Sequence, residues 1–235
     1  MKTILPQLRK QLQSMADPAV KASSLRFFKN DILVYGVKLP AAKTIAKQFN
    51  RELKNLPKAS VYQLCEELWK SGYLEESIIA CDWSYSQRKL SEPDDFRIFE
   101  KWIKKYVTNW ASCDTLCNHT VGEFLIKYPA FLPELKTWAT DKNRWMKRAA
   151  SVSLIVPARK GLFLPEILEI SEVQLHDQDD MVQKGYGWLL KSAAENHLEE
   201  VYRFVMKHKA TMPRTALRYA IEKMPEVKKK KAMEK

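Results

Sequence analysis

The sequence predicts an all-α chain, an α-solenoid of two-helix repeats, and three observations predict it. Apolar residues recur at helical spacing along nearly the whole length. Only 6 glycines occur among 235 residues, and alternating β-branched runs are few, which argues against sheets. The periodic segments are short, of the order of 9 to 17 residues, and pair up about every 35 to 45 residues. That is the range of helical repeats, whereas a four-helix bundle needs fewer and longer helices.

The elements follow in order. Leu5 to Met15 has helical spacing, and Asp17-Pro18 reads as a stop followed by a new start. Ala22 to Lys29 is a second helix. Tyr35 to Pro40 is a turn, with Pro40 near the first turn of the next helix. Ala41 to Leu53 is amphipathic, with Ile45, Phe49 and Leu53 on one face. Ser60–Ser71 repeats the pattern through Leu64, Leu68 and Trp69, and Leu74–Leu90 through Ile78, Ile79 and Trp83. Further helices are expected over 95–106, 112–127, 132–139, 144–155, 164–168, 181–194, 198–208 and 213–223. Pro, Gly, Asp or Asn marks most of the turns between them. No linker appears before Glu226, so residues 1–225 read as a single domain. Residues 226–235, with Lys228 to Lys231, read as a flexible lysine-rich tail.

Composition limits the partners. At 46% hydrophobic content the chain can bury a sizeable core. Of the formal net charge of +12, the last ten residues supply +3, from five lysines against two glutamates, and the body keeps +9. A basic body favours nucleic acid or an anionic membrane surface. No stretch is long and apolar enough to span a bilayer. The start, Met1 to Pro6, is followed by Gln7, Arg9 and Lys10 and lacks the form of a signal peptide. Four cysteines (Cys65, Cys81, Cys113, Cys117) fall short of a disulfide scaffold, so a reducing, cytoplasmic setting is expected.

Two patches stand out: Asn109-Trp110-Ala111-Ser112-Cys113-Asp114, and Asn143-Arg144-Trp145-Met146-Lys147-Arg148-Ala149-Ala150. Trp110 and Asp114, four apart, share a helix face. With Arg148 they offer an indole, a carboxylate and a guanidinium. On spacing alone, a core tryptophan, a carboxylate favoured by a helix N-terminus and a solvated arginine are the commoner account of them. Trp188 sits beside Gly185 and Gly187, which weaken a helix and permit close approach of another backbone. Cys113, Cys117 and His119 lack zinc-site spacing, so no metal is expected. With neither GxGxxG nor GxxxxGK[ST] present, no nucleotide cofactor is expected either.

Four motifs in order, Glu66-Glu67-Leu68-Trp69, Asn109-Trp110-x-x-x-Asp114, Trp145-Met146-Lys147-Arg148-Ala149-Ala150 and Gly187-Trp188-Leu189-Leu190-Lys191, resemble the AlkD-type DNA alkylation repair family. The resemblance extends from about Ala22 to Lys223. It implies HEAT-like helical repeats with a concave basic cleft for duplex DNA. It also implies a monofunctional glycosylase that excises cationic alkylated purines of the 3-methyladenine and 7-methylguanine type.

Carried over by position, Asp114, Trp110 and Arg148 fall on the family's catalytic positions and Trp188 on a second cleft tryptophan. Phe27 stands where a tyrosine can occur, Lys191 where an arginine can, and Lys38 where an uncharged polar residue can. Lys142, Arg144, Lys147, Lys184, Arg214 and Arg218 are further candidates for phosphate contacts, which give affinity without sequence readout. The expected partner is double-stranded DNA containing alkylated bases, bound by a monomer without a cofactor and associated with the nucleoid when on DNA. Some relatives lack the catalytic set, so the alternative is a non-catalytic binder of damaged or branched DNA. A HEAT-type protein scaffold is disfavoured by the charge.

Overall fold

The structure, a computed structural model, describes residues 3–28 and 32–234. Those residues form seventeen α-helices and three short 3-10 or π segments, with no strand beyond one isolated bridge between Leu33 and Tyr73. The chain divides into two compact units, Met1–Leu116 and Cys117–Lys235. The boundary between them falls inside the stretch 1–225 that the sequence reads as a single domain. In a stack of helix pairs each layer packs mainly on its chain neighbours, and no one core needs to gather the whole chain.

The first unit holds α1 (Ile4–Ser14), α2 (Pro18–Phe27), α3 (Leu39–Gln48), α4 (Asn50–Lys54), α5 (Lys58–Lys70), α6 (Leu74–Ser86), α7 (Asp95–Tyr106) and α8 (Trp110–Thr115). Asp17 caps α2, accepting from the Ala19 and Val20 N–H groups, and Pro18 occupies the first helical position. The α3–α4 region splits the expected 41–53 helix at Phe49, yet Ile45, Phe49 and Leu53 are all buried as the spacing requires. Lys29, expected to end the second helix, lies outside the described residues, as do Met1 and Lys2. Helix α6 packs on α3, α5 and α8, and its Trp83 indole donates to the Ala46 carbonyl at 3.2 Å.

In the second unit are α9 (Gly122–Lys127), α10 (Glu134–Ala139), α11 (Arg144–Val152), α12 (Ile155–Arg159), α13 (Leu164–Val173), α14 (Asp180–Ala193), α15 (Leu198–His208), α16 (Arg214–Ile221) and α17 (Glu226–Met233). The expected 112–127 helix is instead α8, a π-helical turn over Leu116–Val121, and α9. Helices α11, α14 and α16 pack one on the next, with α10 and α13 behind them. Asn143 and Asp179 cap α11 and α14.

The lysine-rich end is a helix, not a flexible tail. In α17, Ala232 is buried and Lys228 pairs with Glu199 at 2.8 Å while lying over the Tyr202 ring. The Lys209 ammonium donates to the Lys231 and Glu234 carbonyls, so a cation from elsewhere satisfies orphan acceptors at the helix end.

Candidate functional site

In the second unit most residues singled out by sequence lie on α11, α14 and α16, which pack one on the next. In the first unit Trp110 and Asp114 lie on α8, Phe27 ends α2 and Lys38 caps α3.

The first unit brings together Phe27, Lys38 and Trp110. They line a groove of about 650 Å³ with Val20, Phe28 and Glu75. Leu74 and Ala111 of its lining belong to an apolar cluster with Ile32, Val34 and Ile78, on which Phe28 and Trp110 pack. Phe28 stacks on the Trp110 indole at 5.6 Å, and Phe27 meets it edge-on at 5.7 Å. Phe27 itself is 68% exposed, and α2 contributes no buried side chain. Such an open aromatic wall has a use only when something covers it.

Trp110 opens α8 because Asn109 caps it, taking the Ser112 N–H at 3.0 Å. Asp114, one turn on, is half-buried on the same helix. Thr115 beside it hydrogen-bonds back to the Ala111 carbonyl, steadying this six-residue helix.

Sequence reasoning missed two adjacent carboxylates of α6, of which Glu75 lines the groove. Glu75 is 2% exposed and accepts from the backbone N–H groups of Tyr35 (3.1 Å), Gly36 (2.9 Å) and Val37 (3.0 Å). Glu76 accepts the Arg9 guanidinium in bidentate fashion and the Tyr35 hydroxyl at 2.6 Å. Burial, then the bond to Glu76, pushes the Tyr35 phenol well above its ordinary value, and the same carboxylate raises Arg9. Glutamates in the first turn of α6 look like ordinary complements to a helix dipole. Only Gly36, which takes a positive φ of 94°, hinted that the turn opposite was special.

The second unit carries the other candidates. Arg148 is 5% exposed and donates to the Met181 carbonyl, so a cation is fixed between α11 and α14. Trp188 is half-buried on α14. Gly187 does admit a backbone: a Cβ there would lie 2.7 Å from the Tyr219 Cβ and 2.8 Å from the Ala216 carbonyl oxygen of α16. Gly185 passes the Arg148 side chain at ordinary distance, with 3.5 Å to its Cγ.

Several expected phosphate ligands already have carboxylate partners. Arg144 pairs with Asp179 at 2.7 Å, Lys147 with Asp177, Lys184 with Asp180 at 3.1 Å and Lys191 with Glu222 at 2.9 Å. Lys38, Lys142, Arg214 and Arg218 are exposed and make no ion pair among the described residues. The Glu66 of the first motif is structural. It accepts from the Trp102 indole (2.6 Å), the Tyr106 hydroxyl (2.7 Å) and Lys101 (2.8 Å). Burial would raise its carboxyl, but these three donors hold it below the usual range, and the Glu66 carboxylate in turn lifts the Tyr106 phenol to about 12.

No helix among the described residues is long and apolar enough to cross a membrane. No group of three His, Cys, Asp or Glu side chains among them is placed to hold a metal ion.

A family model described as DNA alkylation repair enzyme matches residues 8–224. Among solved structures, the chain is similar to one described as a predicted DNA alkylation repair enzyme from Enterococcus faecalis. The two are 16% identical with a TM-score of 0.81, over 90% of this chain and 98% of that one, a likeness of fold. No curated protein matches the chain.

Proposed function

The chain belongs to the DNA alkylation repair enzyme family, and from that premise we propose that it is a monofunctional DNA glycosylase for cationic alkylated purines in duplex DNA. Family membership supports a role in DNA repair; the reaction and the lesion are our reading. The observation that carries it is the pairing of an open aromatic wall with a carboxylate on one short helix, Trp110 and Asp114 of α8.

In the proposed reaction, the C1′–N bond breaks and its electron pair leaves with the base, cancelling the positive charge on the alkylated ring. No proton needs to be delivered to the leaving group. The deoxyribose becomes cationic, and a water oxygen forms the new bond to C1′ and gives up a proton. Asp114 stabilises the sugar cation, orients that water and accepts the proton it gives up. Trp110 and Trp188 present π faces that favour a nearby cation. Arg148, anchored by the Met181 carbonyl, supplies a fixed positive charge toward the polyanion. Lys38, Lys142, Arg214 and Arg218, which make no ion pair among the described residues, take phosphates without reading sequence. Lesions with intrinsically weak glycosidic bonds, the 3-methyladenine and 7-methylguanine type, are the substrates this arrangement suits.

The test is release of these two bases from methylated duplex DNA by the wild-type protein and by Asp114→Asn. Release by the former alone, with DNA binding kept by both, supports the proposal. Binding without release by either makes the protein a non-catalytic binder of damaged DNA. Loss of binding together with activity would mean that Asp114 serves the fold.

A further inference from the structure

Three successive backbone N–H groups converging on one point form a concavity that ordinarily binds an anion. At the turn Tyr35–Val37 that concavity is filled from within by the Glu75 carboxylate, with all three distances between 2.9 and 3.1 Å. The next residue is Lys38, exposed, at the cap of α3, whose carbonyl takes the Ala41 and Ala42 N–H groups. On the other side, the Gly36 carbonyl accepts the Asp17 N–H at 3.0 Å, and Asp17 caps α2, the helix that ends at Phe27. One buried side chain of α6 therefore holds the turn from which both Lys38 and the start of α2 are set. Gly36 is needed for the same geometry: a Cβ there would lie 2.6 Å from the Asp17 carbonyl oxygen.

We propose that Glu75 is a positioning residue for DNA binding: by filling the Tyr35–Val37 amide concavity it aims Lys38 at a phosphate and fixes the Phe27 wall opposite Trp110. This rests on the DNA-binding reading above. The neighbouring Glu76 serves differently, tying α1 and the Tyr35 side chain through Arg9 and the Tyr35 hydroxyl. In Glu75→Gln the carboxamide oxygen can still accept, but its NH2 faces a backbone N–H, donor against donor. The turn then opens, and Lys38 loses its aim although it is unchanged.

The experiment measures binding of an unmodified duplex against salt concentration for wild type, Lys38→Ala, Glu75→Gln and the double variant. Glu66→Gln is the control for stability loss without a change at the turn. Each phosphate contact contributes a slope of about −0.9 in log K against log salt. Lys38→Ala and Glu75→Gln are each expected to flatten the slope by about that amount, the double variant by no more than either, and Glu66→Gln not at all. A Glu75→Gln slope equal to wild type while Lys38→Ala flattens it overturns the positioning role and leaves the DNA contact standing. An unchanged slope for Lys38→Ala overturns both. Equal flattening by Glu66→Gln would show that the slope responds to destabilisation away from the turn and would also overturn it. If Glu75→Gln does not fold, Glu75→Asp, which withdraws the charge by one methylene, takes its place with the same expected slope.

Discussion

Gly185 and Gly187 lie two apart in α14, and alanine should have opposite effects at the two positions. At Gly187 the added Cβ would meet the Tyr219 Cβ at 2.7 Å and the Ala216 oxygen at 2.8 Å, against the 3.4–4 Å of ordinary contact. Neither neighbour can rotate away, since one is backbone and the other is fixed by it. Helices α14 and α16 must separate by about 0.7–1 Å, loosening Leu189, Leu190, Leu217 and Ala220, all buried. Overpacking of this kind costs about 1–3 kcal/mol. Alanine returns about 1 kcal/mol of helix propensity, leaving a net loss of up to about 2 kcal/mol. At Gly185 the nearest atoms, Arg148 Cγ at 3.5 Å and a guanidinium nitrogen at 3.7 Å, accept a methyl without moving. Only the propensity gain of about 1 kcal/mol remains. Thermal unfolding should therefore show Gly187→Ala several degrees below Gly185→Ala, with wild type between them, at about 2–4 °C per kcal/mol for a chain of this size. Equal shifts of one sign would refute the reasoning, since helix propensity alone would then outweigh the packing.

Other outcomes follow from the same geometry. The Glu66 carboxyl is held low in the folded state, so its stabilisation is complete above the unfolded value of about 4.3. It is lost as pH falls through the lower folded value, and the stability gap between wild type and Glu66→Gln in urea titrations should shrink over that window. All four cysteines are at most 1% exposed, and burial pushes the Cys65 thiol well above its usual range. A thiol reagent should leave the native protein unlabelled and react with four groups after unfolding; rapid native labelling would contradict that burial. Deleting residues 226–235 should lower the melting temperature by a few degrees, because Ala232, Lys228 and the Lys209 cap are lost together; a silent deletion would restore the flexible tail.

Helix positions were legible in the sequence wherever one apolar face met one core. Asp95–Tyr106 and Leu198–His208 form as the spacing predicts, and Ile78, Ile79 and Trp83 are buried as expected. The departures come where local pattern does not decide. The π-helical turn at Leu116–Val121 leaves the apolar periodicity nearly intact, so nothing in the spacing marks it. The four lysines of α17 suggest mutual repulsion, but Glu199 pairs with one of them and the Lys209 ammonium caps the helix's last carbonyls, both from elsewhere in the chain. Trp110, Phe27 and Lys38 share a groove that their positions 27, 38 and 110 could not reveal without a fold resemblance. Glu75 was invisible because its partners are backbone amides, which carry no sequence identity.

The ion pairs of the second unit also have a thermodynamic side. Arg144, Lys147 and Lys191 each tie their helix to a carboxylate about thirty residues further along the chain. Such a cation serves either as a strut or as a phosphate ligand, and it cannot do both at full strength. A polyanion that recruits it must first release an internal carboxylate, so part of its binding free energy is returned as slack between helices. Linkage then runs in both directions: neutralising Asp177, Asp179 or Glu222 weakens the scaffold and frees a cation. The acidic residues of this basic protein thus set how much of its formal charge an incoming polyanion can use.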